Sequence, residues 1–155
     1  MRIYQLQRKT LLKANLEEVW HFFSSPENLN QLTPSDMHFE IIGGAIPENM
    51  FAGQIICYKI SPFKGIRFRW TTEITHCENM KYFIDEQRFG PYSFWHHLHR
   101  YEETAEGVLM TDVVHYALPM GFLGKWMQSL FIQKKLESIF DYREKAALQL
   151  PFVRK

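Results

Sequence analysis

The stretch that most limits how this chain can fold is its last one, "GFLGKWMQSLFIQKKLESIFDYREKAALQL", residues 121–150. Leu123, Met127, Leu130 and Phe131 recur at helical spacing, and Leu136, Ile139, Phe140, Arg143 and Ala147 continue the stripe. One helix of nearly 30 residues would be about 45 Å long, and it cannot cover its own apolar stripe. The partner must come from what precedes it. From His38 to Leu118 the pattern is extended, with strands expected at about 38–43, 52–60, 66–77, 80–89, 93–103 and 108–118. Turn signals separate them: "PENMFAG", "SPFKG", "EN", "GPY" and "TAEG". A curved antiparallel sheet is thus the surface available to the helix.

Ahead of these strands, "RIYQLQRKTLLKA" has strand-like spacing. "NLEEVWHFFSS" then opens with Asn15 three residues before Glu18, a capping-box spacing with Asn in the first place. In "SPENLNQL", Ser25 is a candidate N-cap and Pro26 takes the first helical position. The order is one strand, two short helices, six strands and a long helix. With 155 residues and no repeat or linker, a single domain spanning 1–155 is expected.

Composition removes several classes of function. A net charge of +1 with no basic stripe argues against nucleic acid as a partner. No apolar run approaches the roughly 20 residues of a membrane span, so stable membrane insertion is not expected. The N-terminal "MRIYQLQRK" lacks the pattern of a secretory leader, and Cys57 and Cys77 make no disulfide framework; a cytoplasmic location is the default expectation. Cys57 is expected near Arg69 across its hairpin, far from Cys77. Aromatic residues make up 15% of the chain, which fits either a bulky core or a wide apolar pocket.

The order of elements resembles the helix-grip fold of the START, SRPBCC or Bet v1-like superfamily. The resemblance is carried by "WTTEI", "FIDEQRFGPYSFWHHLHRYEE", "GVLMTDVVHYALPMGFLG" and "LESIFDYR", and it is nearest to bacterial ligand-binding or polyketide-cyclase-type members. It covers essentially the whole chain. It implies an α+β fold: a curved antiparallel sheet of about seven strands, two short helices after the first strand, and a long C-terminal helix packed across the concave face around an apolar cavity. The superfamily includes lipid carriers, hormone receptors and cyclases, so fold alone does not fix function.

Three histidines in four positions, in "FWHHLH", raise the question of which face each one occupies. Side chains alternate along a strand, and residues paired across a hairpin share a face. A three-residue Gly90-Pro91-Tyr92 loop pairs Gln87 with Trp95, Asp85 with His97 and Phe83 with His99. A four-residue loop from Thr104 to Gly107 pairs Tyr101 with Met110, His99 with Asp112, His97 with Val114 and Trp95 with Tyr116. A two-residue Glu78-Asn79 turn pairs Ile74 with Phe83, Thr72 with Asp85 and Trp70 with Gln87. One face then collects Trp70, Thr72, Phe83, Asp85, Gln87, Trp95, His97, His99, Asp112 and Tyr116, the candidate ligand-binding set. The opposite face collects Arg67, Arg69, Glu73, Glu86, Arg88, His96, Arg100 and Glu102, the natural solvent side. Ile84, Phe94 and Leu98 also fall there, as scattered surface residues or a homo-oligomer contact.

Buried ionisable groups cost several kcal/mol unless paired, and the registers supply two pairs, Asp85 with His97 and Asp112 with His99. Such pairs fit three roles. They can simply satisfy one another on the cavity floor, or recognise the polar head of a hydrophobic or amphipathic small molecule. They can also act as general acid and base, with His97, Asp85, His99 and Asp112 as the candidate catalytic groups. His-x-His with carboxylates nearby also fits a two-His, one-carboxylate metal site, but the pairing makes each carboxylate an orienting partner, so no metal and no cofactor is expected. His21, His76 and His115 read as surface, packing or strand-end residues. Gly121 and Gly124 read as a helix start, since no Lys-Ser/Thr follows to make a phosphate loop. Small-molecule binding is the leading reading. A cyclase, dehydratase or hydrolase using a cavity His–Asp pair is the alternative, and a protein-interaction module using the outer apolar residues is a third.

Overall fold

A computed structural model describes residues 2–43, 47–63, 66–119 and 131–154. Seven strands form one sheet: β1 (Tyr4–Leu12), β2 (Glu40–Ile42), β3 (Ile55–Phe63), β4 (Ile66–Glu78), β5 (Tyr82–Phe89), β6 (Phe94–Thr104) and β7 (Gly107–Ala117). Their order is β1-β7-β6-β5-β4-β3-β2, and every neighbouring pair is antiparallel. Helix α1 (Leu16–Phe23) follows β1, and helix α2 (Gln133–Leu148) closes the chain. The α+β helix-grip layout is the one expected.

Local chemistry sets the helix starts. Asn15 Oδ1 accepts the Glu18 backbone N–H at 2.8 Å, and the Asn15 side-chain amide donates to Glu18 Oε2 at 2.6 Å. The second short helix is tighter than expected: Pro26–Asn30 is a 3₁₀ turn, and Ser25 makes no side-chain cap. A further 3₁₀ turn spans Ser35–Met37. Helix α2 has 16 residues, about 24 Å. The expected stripe positions Leu123, Met127 and Leu130, with Gly121 and Gly124, lie outside the described residues. Phe131 is 60% exposed rather than packed, and Ile132 is buried instead, along with Leu136, Phe140 and Ala147. No helix among the described residues is long and apolar enough to cross a membrane.

Two of the three expected hairpin registers match. β5 and β6 pair Asp85 with His97 and Phe83 with His99; β6 and β7 pair His99 with Asp112, His97 with Val114 and Trp95 with Tyr116. The β4–β5 register differs by two residues over its centre, pairing Thr72 with Gln87 and Ile74 with Asp85. The hairpin turns through three residues, because Glu78 pairs with Tyr82 and Met80 adopts a left-handed φ of 62°. That loop alone would turn β4 over, since an odd shift exchanges faces. A bulge between Ile74 and His76 inserts one more residue and restores the phase. Trp70, Thr72 and Ile74 are buried as expected.

Between sheet and helices the core falls into two parts. Under α1, Trp20 meets Tyr101 and Phe83 edge-on at 5.6 and 6.2 Å. Under α2, Leu136 and Phe140 pack with Leu6, Val114 and Tyr116. Burial of each such side chain contributes about 1.5–3 kcal/mol. The opposite sheet face carries ion pairs: Arg88 with Glu73 at 2.5 Å and with Glu86 at 3.0 Å, and Arg67 with Glu40. His96 stands there, 4.0 Å from Glu86. Ile84, Phe94 and Leu98 are half-buried on that side. Cys57 opposes Thr71 rather than Arg69, because Lys59 takes the place opposite Arg69. Both cysteines are free.

Candidate functional site

β5, β6 and β7 bring four ionisable side chains together on the inner face: Asp85, His97, His99 and Asp112. His97 and His99 lie two residues apart on β6, so both rings project from one face, with centroids 3.6 Å apart. Asp85 comes from the strand on one side and Asp112 from the strand on the other. The side chains are 17%, 6%, 4% and 3% exposed for Asp85, His97, His99 and Asp112. The four are therefore almost dry, and each needs its neighbours.

The backbone pairing is the expected one, but the side-chain bonds are not. The shorter contacts run diagonally: His99 Nε2 to Asp85 Oδ2 at 2.8 Å and His97 Nε2 to Asp112 Oδ1 at 3.0 Å. The directly opposed groups also touch, His97 Nδ1 with Asp85 Oδ2 at 3.3 Å and His99 Nδ1 with Asp112 Oδ1 at 3.0 Å. Two separate pairs were expected; a closed ring is found, in which every imidazole nitrogen faces a carboxylate oxygen. The other oxygen of Asp85, Oδ1, accepts the Trp95 indole N–H at 3.1 Å. Phe83 stacks on His99 at 4.2 Å, and Phe140 of α2 meets His97 edge-on at 5.6 Å.

Sequence reasoning placed Arg143 in the helix stripe without giving it a role. It reaches in from α2, and its Nη2 is 3.5 Å from His99 Nδ1. Its Nε is buried without a hydrogen-bond partner. The available signal was a cation on an otherwise apolar face, three residues after Phe140 and four before Ala147.

Charge within the ring is strongly coupled. Burial would raise the Asp112 carboxyl, yet Arg143 and the two histidines hold it well below the usual range. Burial would likewise raise Asp85, and His97 and His99 pull it down. Burial works against a charged His97, but Asp85 and Asp112 outweigh it and raise His97 above the ordinary histidine value. The linkage has opposite signs at the two ends of the pH scale. The contribution of the carboxylates is present above about pH 3.9 and fades as pH falls through their depressed values. The contribution of His97 is full below about pH 6.5 and is lost as pH rises through its raised folded value. Chemical denaturation of the protein should show lower stability at about pH 9 than at about pH 6. His97→Gln should flatten that alkaline decline; an unchanged decline would mean that other groups cause it.

Above this ring lies a cavity of about 160 Å³ between sheet and α2. Of the sequence-derived set, Trp70, Thr72, Phe83, Asp85, Trp95, His97 and His99 line it. Three do not. Gln87 turns to the Gly90-Pro91-Tyr92 loop, donating to Tyr92 O at 2.7 Å and accepting the Tyr92 N–H at 3.2 Å. Asp112 lies behind the histidines, and Tyr116 is 1% exposed within the core under α2. The rest of the wall includes Leu136, Ile139, Phe140 and Arg143 from the expected helix stripe and, from places where the sequence carried no such signal, Leu29, Leu32 and Met37 from the 3₁₀ region, Tyr58 and Ile60 from β3 and Tyr92 from the loop. Burial raises Tyr58 and Tyr92 well above the normal tyrosine range, so both are neutral phenols. His21 is exposed, 3.9 Å from Glu48, and His76 is exposed beyond the bulge; neither lines the cavity. His115 pairs across the strands with His96, their rings 6.1 Å apart.

A curved antiparallel sheet gripping a C-terminal helix around such a cavity defines the helix-grip fold, and this chain has that fold. Ginseng major latex-like protein 151 from Panax ginseng is similar with a TM-score of 0.68 at 15% identity, over 96% of this chain and 99% of that one. Truncated norcoclaurine synthase from Thalictrum flavum gives 0.66 at 15% identity, over 96% of both chains. A protein from Thermus thermophilus gives 0.66 at 16% identity, over 95% of this chain and 97% of that one. No family model matches the sequence, and no curated protein matches it.

Proposed function

We infer that this protein binds a small amphipathic molecule in the cavity between the sheet and α2. The observation that carries this is the distribution of polarity around the cavity. Most of the wall is aliphatic or aromatic, and the ionisable groups Asp85, His97, His99 and Arg143 stand close together in it. Two wall residues also hold buried donors without partners, Trp70 Nε1 and Arg143 Nε. Such orphans are uncommon in native interiors, and a ligand oxygen would satisfy them. The size favours a compact ligand, because a cavity of about 150 Å³ accepts benzene. A single-ring body with an acceptor-oxygen head fits both limits.

Among the fold neighbours, one is by name a synthase and another a latex-like protein, so binding is the reading that needs no assumption about turnover. The test is a titration of single-ring phenols, aryl ketones and aryl carboxylic acids, followed by fluorescence of the wall residues Trp70 and Trp95. Saturable quenching is expected with at least one class. Trp70→Phe keeps the ring and removes the donor, so affinity should fall about three- to tenfold, one hydrogen bond's worth. Ile60→Trp should fill the cavity and abolish binding. Quenching that survives Ile60→Trp would place the ligand elsewhere and sink the proposal.

A further inference from the structure

The two faces of the histidine pair are not equivalent. On one side, His97 Nδ1 and His99 Nε2 lie 3.3 and 2.8 Å from a single oxygen, Asp85 Oδ2. On the other side, His97 Nε2 and His99 Nδ1 each lie 3.0 Å from a single oxygen, Asp112 Oδ1. Asp85, His97 and His99 line the cavity, whereas Asp112 does not. Two nitrogens and an oxygen therefore meet at the cavity floor, with a second carboxylate behind both rings.

We propose that Asp85, His97 and His99 form a site for a divalent first-row transition ion, open to the cavity. Three properties of the cluster carry it. The ligand atoms already converge: one from each residue lies within 4.8 Å of the others. Donors bonded to one tetrahedral zinc ion at about 2.0–2.2 Å stand about 3.4 Å apart, so binding asks for small adjustments rather than a new backbone. The donor set of two imidazoles and one carboxylate suits zinc, iron or cobalt, while calcium and magnesium prefer oxygen alone.

The outer contacts are those that metal-binding histidines require. A ligating imidazole keeps its remote N–H on a carboxylate or carbonyl, which fixes the tautomer and turns the free lone pair toward the ion. Asp112 does this for both rings at once. Trp95 Nε1 does the equivalent for Asp85, holding Oδ1 at 3.1 Å and leaving Oδ2 as the ligand atom. Charge also allows it. With neutral imidazoles, Asp85, Asp112 and Arg143 sum to −1, and a divalent ion brings the site to +1. Arg143 approaches His99 Nδ1, the ring nitrogen on the Asp112 side, rather than the nitrogen that would hold the ion. The ion's remaining positions face the cavity, where an oxygen-bearing ligand can reach them.

The test uses the full chain, stripped with a chelator and titrated with Zn²⁺ by calorimetry. One ion per chain is expected. Combined replacement of His97 and His99 by alanine should abolish binding. Asp112→Asn should keep the stoichiometry and weaken affinity about 10- to 100-fold. His96→Ala with His115→Ala, on the opposite face, should change nothing. Absence of one-to-one binding, or binding that persists without His97 and His99, overturns the proposal. Because core variants can fail to fold, Co²⁺ added to the unaltered protein gives an independent reading. Paramagnetic shifts should appear on the His97 and His99 ring protons; shifts confined to His96 and His115 overturn it equally. No apolar ligand is needed, so failure here leaves the cavity-binding reading to stand or fall by its own titration.

Discussion

Asp112→Ala should destabilise the metal-free protein by about 3–5 kcal/mol, the usual loss when one partner is taken from a buried ionic network. Asp112 is 2% exposed and serves three groups. Its Oδ1 faces a nitrogen of each histidine at 3.0 Å, and Arg143 is the main influence holding it ionised despite burial. Removing it strands two ring nitrogens and leaves Arg143 without that countercharge in the interior. For a chain of this size the loss corresponds to a drop of roughly 10 °C in Tm. Asp112→Asn keeps the shape and one acceptor oxygen, so its cost should be smaller. Equilibrium unfolding in urea measures both. A loss below about 1 kcal/mol for Asp112→Ala would mean the ring is not stabilising as a network.

That ring was partly legible from sequence, and the part that was legible came from loop lengths. Gly90-Pro91-Tyr92 fixes β5 against β6, and the Thr104–Gly107 turn fixes β6 against β7. Those two counts place Asp85, His97, His99 and Asp112 on one face before any packing is considered. The diagonal hydrogen bonds were not legible, because register determines which residues are opposite but not how side-chain torsions share their partners. The β4–β5 turn was misjudged for a local reason. Met80 occupies a left-handed conformation that methionine rarely adopts, so "ENMK" carries no glycine to mark it. The face of β4 still came out right, because an extra loop residue and a bulge residue cancel in phase.

The cavity was less legible than its floor. Leu29, Leu32 and Met37 lie in 3₁₀ turns and connections that have no hydrophobic period to read, yet they line the cavity. Arg143 shows the same limit from the other side. Periodicity placed it correctly on the inner stripe of α2, but its role depends on His99 and Asp112, which are remote in sequence.

The register that builds the ring depends on one glycine, which gives the second large effect. Gly107→Ala should destabilise the protein by roughly 2–5 kcal/mol. Gly107 begins β7 at φ +138°, a conformation L side chains rarely adopt. It also lies against β1: an added Cβ would come 2.2 Å from the Leu12 carbonyl oxygen and 3.0 Å from Lys13 Cα. Both neighbours are main chain, so no side chain can swing aside to relieve the clash. Either β1 parts from β7, or the Thr104-to-Gly107 pairing opens and the turn that sets Asp112 opposite His99 is lost. Gly53→Ala is the control, since Gly53 has φ +90° but open space where its Cβ would stand. It should incur the backbone strain alone, about 1–3 kcal/mol. Thermal unfolding of the two variants side by side separates the contributions. If Gly107→Ala proves no more damaging than Gly53→Ala, the close approach of β1 does not constrain the turn, and the β6–β7 register must be held by its strand pairing instead.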